Sequence, residues 1–411
     1  MSTTPRRRLR VSLVGTEFFR GHGGIQSINR LLVRAFCRVG LRTPLALDVF
    51  SFTDGREHIP AGFPGAASAP CGMEVHWHPA GRNRAVLSLH LGGSLILRQP
   101  DLVLFTHVAL LPLARMVRAL APRARVAVLG HGTEVWQPLA PRVARLLPQV
   151  DAFVSPSEFT ARKLVAVHGI SQDRVSIHPH ALDPDWAAEC DAAGRQHSSR
   201  CPGQILLSVT RLSRADTAGK GVELVLQALP AVLERFPDAS YVVAGGGGDL
   251  PRLQKAVHRL GLDRSVQLLG ACDRDALLRA YAAAHIFVLP TQVEGFGVVF
   301  LEAMLNRLPV VAVRASATPE VVEDGNTGLL VPAGDSAALA QALGALLAEP
   351  ERCCALGCAG RSRVERLYTF EQFVARWERW LTAQVPEAIY AARQGEFFAL
   401  IPQSGPVIGA V

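Results

Sequence analysis

The sequence predicts an α/β fold of two Rossmann-like, doubly wound domains facing a cleft. Three observations carry that expectation. Short apolar runs alternate with helix-patterned stretches, which is the βαβ rhythm of a parallel sheet. The rhythm is lost once, over residues 183–203, and then restarts. The chain has 411 residues, enough for two or three domains at roughly 150 residues each.

The elements follow in order. Leu9–Gly15 reads as the first strand, and Gly23–Val39 as a helix with Ile28, Leu31, Leu32, Ala35 and Phe36 at helical spacing. Leu102–Thr106, Val126–Leu129 and Ala152–Ser155 read as short buried strands with helical stretches between them. Residues 1–182 therefore form the expected first domain. Residues 183–203, opening with Asp183-Pro184-Asp185 and then rich in Ala, Ser, Gly and charge, read as a linker. Gln204–Val209 restarts the pattern as a strand, and Val222–Arg235 is helical. Tyr241–Ala244 runs into four glycines. Leu250–Leu260, Val266–Leu269, Asp275–Ala284, Ile286–Leu289, Val310–Ala312 and Gly328–Val331 complete a second domain over 204–368. Thr369 caps an amphipathic helix through residue 383, the start of a terminal segment 369–411 whose tail has no clear pattern. Two such halves point the carboxyl ends of their strands into a shared cleft, a preferred ligand position.

Composition narrows the function classes. Hydrophobic residues make up 49% and charged ones 19%, a globular and not a disordered balance. No uninterrupted apolar run reaches the roughly 18 residues of a membrane span. The longest apolar stretch of the first third, Val86 to Leu97, is broken by Ser88, His90, Gly92, Gly93 and Ser94. The basic N-terminus (Arg6, Arg7, Arg8, Arg10) runs directly into the first strand, so a cytoplasmic location is expected. The eight cysteines show no zinc-ligand spacing, so reduced thiols are expected. The net charge of +8 is uneven. Residues 1–200 hold 24 Lys+Arg against 14 Asp+Glu, or +10, which leaves 19 against 21, or −2, for the remainder. A basic half attracts phosphate-bearing partners or an anionic membrane face, or serves solubility alone.

The most informative segment is Glu294-Gly295-Phe296-Gly297-Val298-Val299-Phe300-Leu301-Glu302. A strand, a glycine turn and a helix start set free backbone N–H groups at a strand's carboxyl end, where an open α/β sheet holds an anion. With the helix beginning near Gly297, Glu302 lies on its second turn and Glu294 stays on the loop. Gly21-His22-Gly23-Gly24-Ile25-Gln26 follows the first strand. Gln26 spoils the GxGxxG dinucleotide fingerprint, so the glycine pair serves either as a tight turn or as a close approach to a phosphate or sugar. Gly130-His131-Gly132 follows Val126–Leu129 and reads as open to the cleft. Arg211 begins the loop after Gln204–Val209 and Lys220-Gly221 ends it. Arg as a fork and Lys as a point charge suit a departing diphosphate. Asp183-Pro184-Asp185 and Asp273-Arg274-Asp275 mimic a metal-binding DxD. The second precedes a helix and reads as an N-cap, and neither is assigned to a metal. Ser155 with Glu158 reads as a capping box.

The Glu-x7-Glu spacing of Glu294 and Glu302 resembles the signature of family-4 retaining glycosyltransferases of the GT-B fold. The resemblance spans roughly residues 9–383 and is strongest over 204–332. It implies that Glu294 lies near the transferred sugar and Glu302 binds the nucleotide ribose. It places Gly23 and Gly24 over the donor diphosphate and sugar, and His131 by the sugar's C6 side. Arg211 and Lys220 match the family's cationic loop, with a longer gap between them here. Gly245 to Gly248 and Leu269-Gly270 match its second-domain turns, Gly270 lying where the backbone meets the base. Pro319-Glu320 is kept, with Ala317-Thr318 in place of the usual Gly-Gly. Phe296, Gly297 and Val298 would offer backbone N–H groups. The implied function is retaining transfer of a hexose from a UDP- or GDP-sugar to a glycan or a polyprenyl-pyrophosphate-linked acceptor, in cell-surface or exopolysaccharide synthesis. It implies no cofactor, no metal and no nucleic acid. The final helix would cross back to the first, acceptor-binding domain, and the protein would touch the anionic inner face of the plasma membrane peripherally. A nucleotide-sugar 2-epimerase, a dinucleotide oxidoreductase and a silent nucleotide-binding protein are the rival readings.

Overall fold

A computed structural model describes residues 8–21, 23–64, 73–196, 204–213 and 219–388. Arg6 and Arg7, His22, the linker residues 197–203, the middle of the Arg211–Lys220 loop and the tail 389–411 lie outside the described residues.

Two parallel sheets form the frame. The first contains β1 (Leu9–Gly15), β2 (Leu45–Ser51), β3 (Glu74–Pro79), β4 (Leu102–Phe105), β5 (Arg125–Leu129), β6 (Ala152–Ser155) and β7 (Val175–Ile177). Its spatial order is β3-β2-β1-β4-β5-β6-β7. The second contains β8 (Ile205–Val209), β9 (Ser240–Ala244), β10 (Val266–Gly270), β11 (Ile286–Leu289), β12 (Val310–Val313) and β13 (Gly328–Val331), ordered β10-β9-β8-β11-β12-β13. Strand order therefore reverses between β1 and β4 in one sheet and between β8 and β11 in the other. These are the switch points where open α/β sheets leave a crevice at the strands' carboxyl ends.

Burial explains the strands. β4, β6, β11 and β12 are buried along their whole length, as expected of strands covered by helices on both faces. Three strands of the first sheet went unpredicted. β2 carries Asp48 in the middle of an apolar run, β3 reads as Glu-Val-His-Trp-His-Pro, and β7 has three half-buried or exposed residues. β3 and β7 are the sheet's two edges, where burial no longer demands apolar residues.

The segment 183–203 is not an irregular linker. Pro184–Gln196 is a helix. The Asp183 carboxylate accepts the backbone N–H of Asp185 at 2.9 Å and of Trp186 at 3.4 Å, and Pro184 stands at the first helical position, where its missing N–H costs nothing. Trp186 and Cys190 are buried against the second lobe, Trp186 edge-on to Tyr281 at 6.0 Å. Ser155 is not the cap it resembles. Ser157 caps the helix Glu158–His168 by accepting the Thr160 N–H. Asp273 does cap the helix Arg274–Ala283, accepting the Ala276 N–H at 2.7 Å.

The helix Phe370–Gln384 has a reciprocal cap between Thr369 and Gln372. It lies on the helix Gly24–Gly40, and its Phe373, Trp377, Trp380 and Leu381 belong to the first lobe's core. Trp377 meets Phe36 edge-on at 5.7 Å.

Candidate active site in the interdomain cleft

The expected site residues gather at the facing strand ends. On the first lobe the loop after β1 is built by one buried carboxylate. Asp54 accepts the backbone N–H groups of Phe18 (2.7 Å), Phe19 (3.1 Å) and Arg20 (2.8 Å), which fixes the approach to Gly23 and Gly24. No sequence signal marked Asp54, because it lies beyond β2, far from the loop it shapes. Across the cleft, the exposed Arg211 follows β8. A Cβ placed on Gly23 would lie 3.7 Å from Arg211 Nη1. The guanidinium thus reaches the first lobe's glycine turn at the switch point.

Lys220 and Glu294 form one unit. Lys220 Nζ lies 2.8 Å from Glu294 Oε2, and both side chains are largely buried. Gly221 makes the approach possible. It sits at φ +76°, and a Cβ there would come within 2.3 Å of the Pro290 carbonyl. The backbone of Glu294 is clamped by a neighbouring loop, its N–H donating to Ser316 Oγ at 3.1 Å and its carbonyl accepting the Ala317 N–H at 3.2 Å. Ser316 adopts φ +48° without being glycine, a strained conformation of the kind that clusters at functional loops. Neither Ser316 nor its role was legible in the sequence.

The helix Val298–Leu305 begins immediately after Gly297 at φ +89°. Its first N–H groups lack intrahelical acceptors by the geometry of any helix start. Glu302, one turn further in, accepts a hydrogen bond from the Tyr281 hydroxyl at 2.7 Å. Burial raises its carboxyl to about 7, against the lowering effects of that hydrogen bond and of Arg274. Gly270 closes β10 at φ +70°, and its carbonyl accepts the Gly245 N–H at 2.8 Å. It therefore lies two strands from β8, beside the glycine turn after β9.

The two lobes touch at their glycine turns. A Cβ on Gly295 would fall 2.0 Å from the His131 carbonyl, and one on Gly132 would fall 3.1 Å from the Gly295 Cα. Ser157 Oγ donates to the Gly295 carbonyl at 2.8 Å. Phe296 is buried, edge-on to His180 of the first lobe at 5.2 Å. Glu320 completes the seam. Its two carboxylate oxygens accept the N–H groups of Glu158 and Phe159, each at 2.7 Å, so one lobe caps a helix of the other with a favourable charge at its positive end. Arg363 holds that loop by donating to the Glu320 and Val321 carbonyls.

His131 is more packed than its flanking glycines suggest. Its ring lies between His107 (6.5 Å) and His180 (6.0 Å), with Nε2 at 2.7 Å from the Thr106 carbonyl. Burial depresses its basicity, opposed by Glu134, so the ring is neutral near pH 7. A carbonyl only accepts, so the hydrogen bond assigns the proton to Nε2 and leaves the lone pair on Nδ1.

The DxD-like sequences have structural partners. Arg34 pairs with Asp183 and Asp185, and Asp273 is a cap. Among the described residues, no group of three or more His, Cys, Asp or Glu is disposed to hold a metal ion.

Known proteins share these features. The family profile described as glycosyl transferases group 1 matches residues 195–363, and that of glycosyltransferase family 4 matches residues 22–186. A GDP-mannose-dependent alpha-(1-6)-phosphatidylinositol monomannoside mannosyltransferase of Mycolicibacterium smegmatis is 32% identical over 263 residues, 61% of this chain and 67% of that protein. The Mycobacterium tuberculosis protein of the same description is 28% identical over 393 residues, 89% and 96% of the two chains. Among solved structures, Anabaena Alr3699/HepE in complex with UDP and glucose superposes with a TM-score of 0.70 at 17% identity, covering 92% of this chain and 100% of that one. Sucrose-phosphate synthase from Thermosynechococcus elongatus gives 0.72 at 21% identity, covering 92% and 99%. At these identities the structures speak to the fold alone, which is the two-domain GT-B arrangement.

Proposed function

The chain belongs to the group 1, family 4 glycosyltransferases, and on that premise we propose that it transfers mannose from GDP-mannose to a lipid-linked acceptor with retention of anomeric configuration. The observation that carries the reading is convergence at the second lobe's switch point. Arg211 after β8 and the Lys220–Glu294 pair beside β11 bracket the start of the helix Val298–Leu305. That start, with backbone N–H groups of Phe296, Gly297 and Val298, is suited to an anion. Residues 204–368 are the donor domain in this reading, and residues 1–182 bind the acceptor. The names of the relatives over most of the chain support GDP-mannose over a UDP-sugar, and a lipid acceptor over a soluble glycan.

The mechanism follows from the groups available. Arg211 and Lys220 neutralise the negative charge that grows on the diphosphate as the sugar's C1–O bond breaks. Glu302 binds the ribose. Glu294 releases part of its hold on Lys220 and accepts a hydrogen bond from a sugar hydroxyl. The acceptor oxygen forms its bond to C1 on the face the diphosphate leaves, and its proton passes to the departing phosphate oxygen. No protein base is needed for that transfer. His131, neutral with its lone pair on Nδ1, positions the sugar's C6 side. The seam made by Gly295, Ser157 and Glu320 excludes water and limits hydrolysis. The acceptor class places the enzyme at the inner face of the plasma membrane, in synthesis of cell-surface glycolipid.

The test is incubation with labelled GDP-mannose, or UDP-glucose as the competing donor, and a phosphatidylinositol-based lipid acceptor. Transfer from GDP-mannose, with an axial-type anomeric proton coupling in the product, is the expected result. Formation of an epimer from donor alone would instead favour an epimerase, and transfer from UDP-glucose only would overturn the choice of nucleotide.

A further inference from the structure

We propose that the outer face of the helix Arg84–Arg98 is a docking surface for an anionic lipid bilayer. The inference rests on the lipid-acceptor reading above and names the face that meets the lipid.

A surface helix normally buries an apolar stripe and shows polar residues to water. This helix is apolar on both sides. Leu87, Leu91 and Leu95 enter the first lobe's core. On the opposite side Leu89, Ile96 and Leu97 are 74%, 58% and 83% exposed, and Ala85 is exposed with them. Leu89 and Ile96 are seven positions apart, two helical turns, so they fall on one line. Of the seven large apolar side chains exposed among the described residues, three lie on this one element. Scattered exposed leucines need no explanation, but an ordered stripe does.

Charge selects the occupant. Between Glu74 and Glu134 the chain carries seven arginines and a single carboxylate, Asp101. The helix itself has no acidic residue, and Arg82 and Arg84 stand exposed at its start. The adjoining helix Ala114–Leu120 and the turn after it expose Arg115 and Arg123. An apolar stripe rimmed by arginines is the pattern of an interfacial helix that sinks leucines below the headgroups while cations meet lipid phosphates. A second copy of the chain is the weaker fit. Two-fold packing of this face on itself would set arginines near arginines, and stable protein interfaces use roughly 20–30 residues a side.

Topology gives the surface a purpose. In a parallel α/β unit the helix that follows a strand begins at the strand's carboxyl end. The turn Gly81-Arg82 between β3 and this helix therefore lies on the cleft side of the first lobe. Arg82 holds a left-handed conformation there, φ +69°, with its N–H donating to the Phe52 carbonyl at 2.7 Å. A helix laid in the bilayer surface would bring that end of the acceptor domain to the headgroup level, so that a lipid-linked sugar enters the cleft without leaving the membrane.

The experiment is flotation of the full chain with two kinds of vesicle, pure phosphatidylcholine and phosphatidylcholine with about a third phosphatidylglycerol. Wild type should float with the anionic vesicles at low salt and much less with the neutral ones. Leu89→Ser with Leu97→Ser should lower the bound fraction about tenfold, and Arg82→Gln with Arg84→Gln should weaken binding and its salt dependence. Calorimetric titration of GDP-mannose without vesicles should be the same for all three proteins. Wild type failing to float, or the leucine variant floating like wild type, overturns the inference and leaves the transferase reading standing. A leucine variant that only converts a dimer to a monomer overturns it in favour of self-association. Flotation as expected with no GDP-mannose binding sinks the transferase reading and keeps the surface.

Discussion

The two lobes share one architecture but are charged for different tasks. Residues 1–200 carry +10 and the remainder −2, yet both cations proposed for the diphosphate, Arg211 and Lys220, come from the nearly neutral half. The first lobe brings to the cleft a depressed, neutral histidine and two glycine turns. Its arginines stand on the outer helices instead. Whole-domain charge is thus a poor guide to where a phosphate binds. What matters is which side chain follows which strand at the switch point, because a positioned guanidinium in a half-buried cleft outweighs many screened surface charges.

The largest effect should come from removing that placed charge. Arg211→Ala combined with Lys220→Ala is expected to lower kcat at least about a hundredfold, roughly 2.7 kcal/mol of barrier. Neutralising as many exposed arginines of the first lobe should leave kcat within about twofold on a soluble acceptor. Equal losses from the two sets, measured by steady-state kinetics with GDP-mannose, would erase the contrast between the lobes.

A smaller effect concerns stability and is also confined to the second lobe. Burial holds the Glu302 carboxyl near 7, above its ordinary 4.5. Between those values the folded chain keeps a proton that the unfolded chain has lost, so stability falls as pH rises through that window and levels off above it. The drop is on the order of 1–2 kcal/mol after allowing for partial exposure. Glu302→Gln should flatten the melting temperature between pH 5 and 7. The first lobe's His178, pushed down to about 3 by burial and by Arg376 and Arg379, is neutral throughout that range in the folded chain. Its proton is lost on folding below pH 6.5, so it contributes stability that grows as pH rises toward neutrality. Opposite slopes in the two lobes are separable with His178→Asn as the partner variant.

The next effect tests the seam. Glu320→Gln keeps the shape but removes the charge that caps the helix Glu158–His168. We expect KM for the donor to rise three- to tenfold with little change in melting temperature, since the contact joins lobes rather than stabilising either. A fall in melting temperature without a kinetic effect would make Glu320 an ordinary structural cap.

How much of this was legible follows from the kind of information each part needs. The second lobe read well because its strands are buried runs and its loops carry glycines at the strand ends. The first lobe lost β2 and β3 because Asp48 and His78 form a buried pair at 3.0 Å, which makes inward-facing polar residues look like surface. The helix Pro184–Gln196 was hidden by composition, although Asp183-Pro184 had announced its cap. Site membership could be read from spacing, since Arg211, Lys220, Glu294 and Glu302 each follow a strand. Pairing could not. That Lys220 meets Glu294, Tyr281 meets Glu302, and Glu320 reaches the other lobe depends on loop geometry at long sequence separation, which no local pattern encodes.

The smallest expected effect is none. Chelation with EDTA should leave transfer from GDP-mannose unchanged. The reason is the distribution of the acidic side chains. The pairs whose spacing imitates a metal motif are already employed, Asp183 and Asp185 by Arg34 and Asp273 by a helix N-terminus. Glu294 is held by Lys220 and Glu302 by Tyr281. A divalent cation recruited to the diphosphate would have to break one of these pairings and sit beside two fixed positive charges. Arg211 and Lys220 instead supply the counter-charge without that cost. The comparison sharpens with Lys220→Ala: added Mg²⁺ should rescue none of the lost activity, because no vacated carboxylate pair faces the phosphates. Loss of wild-type activity in EDTA, restored by Mg²⁺ or Mn²⁺, would show that the second lobe's cations are not sufficient and would return the carboxylates to the chemistry.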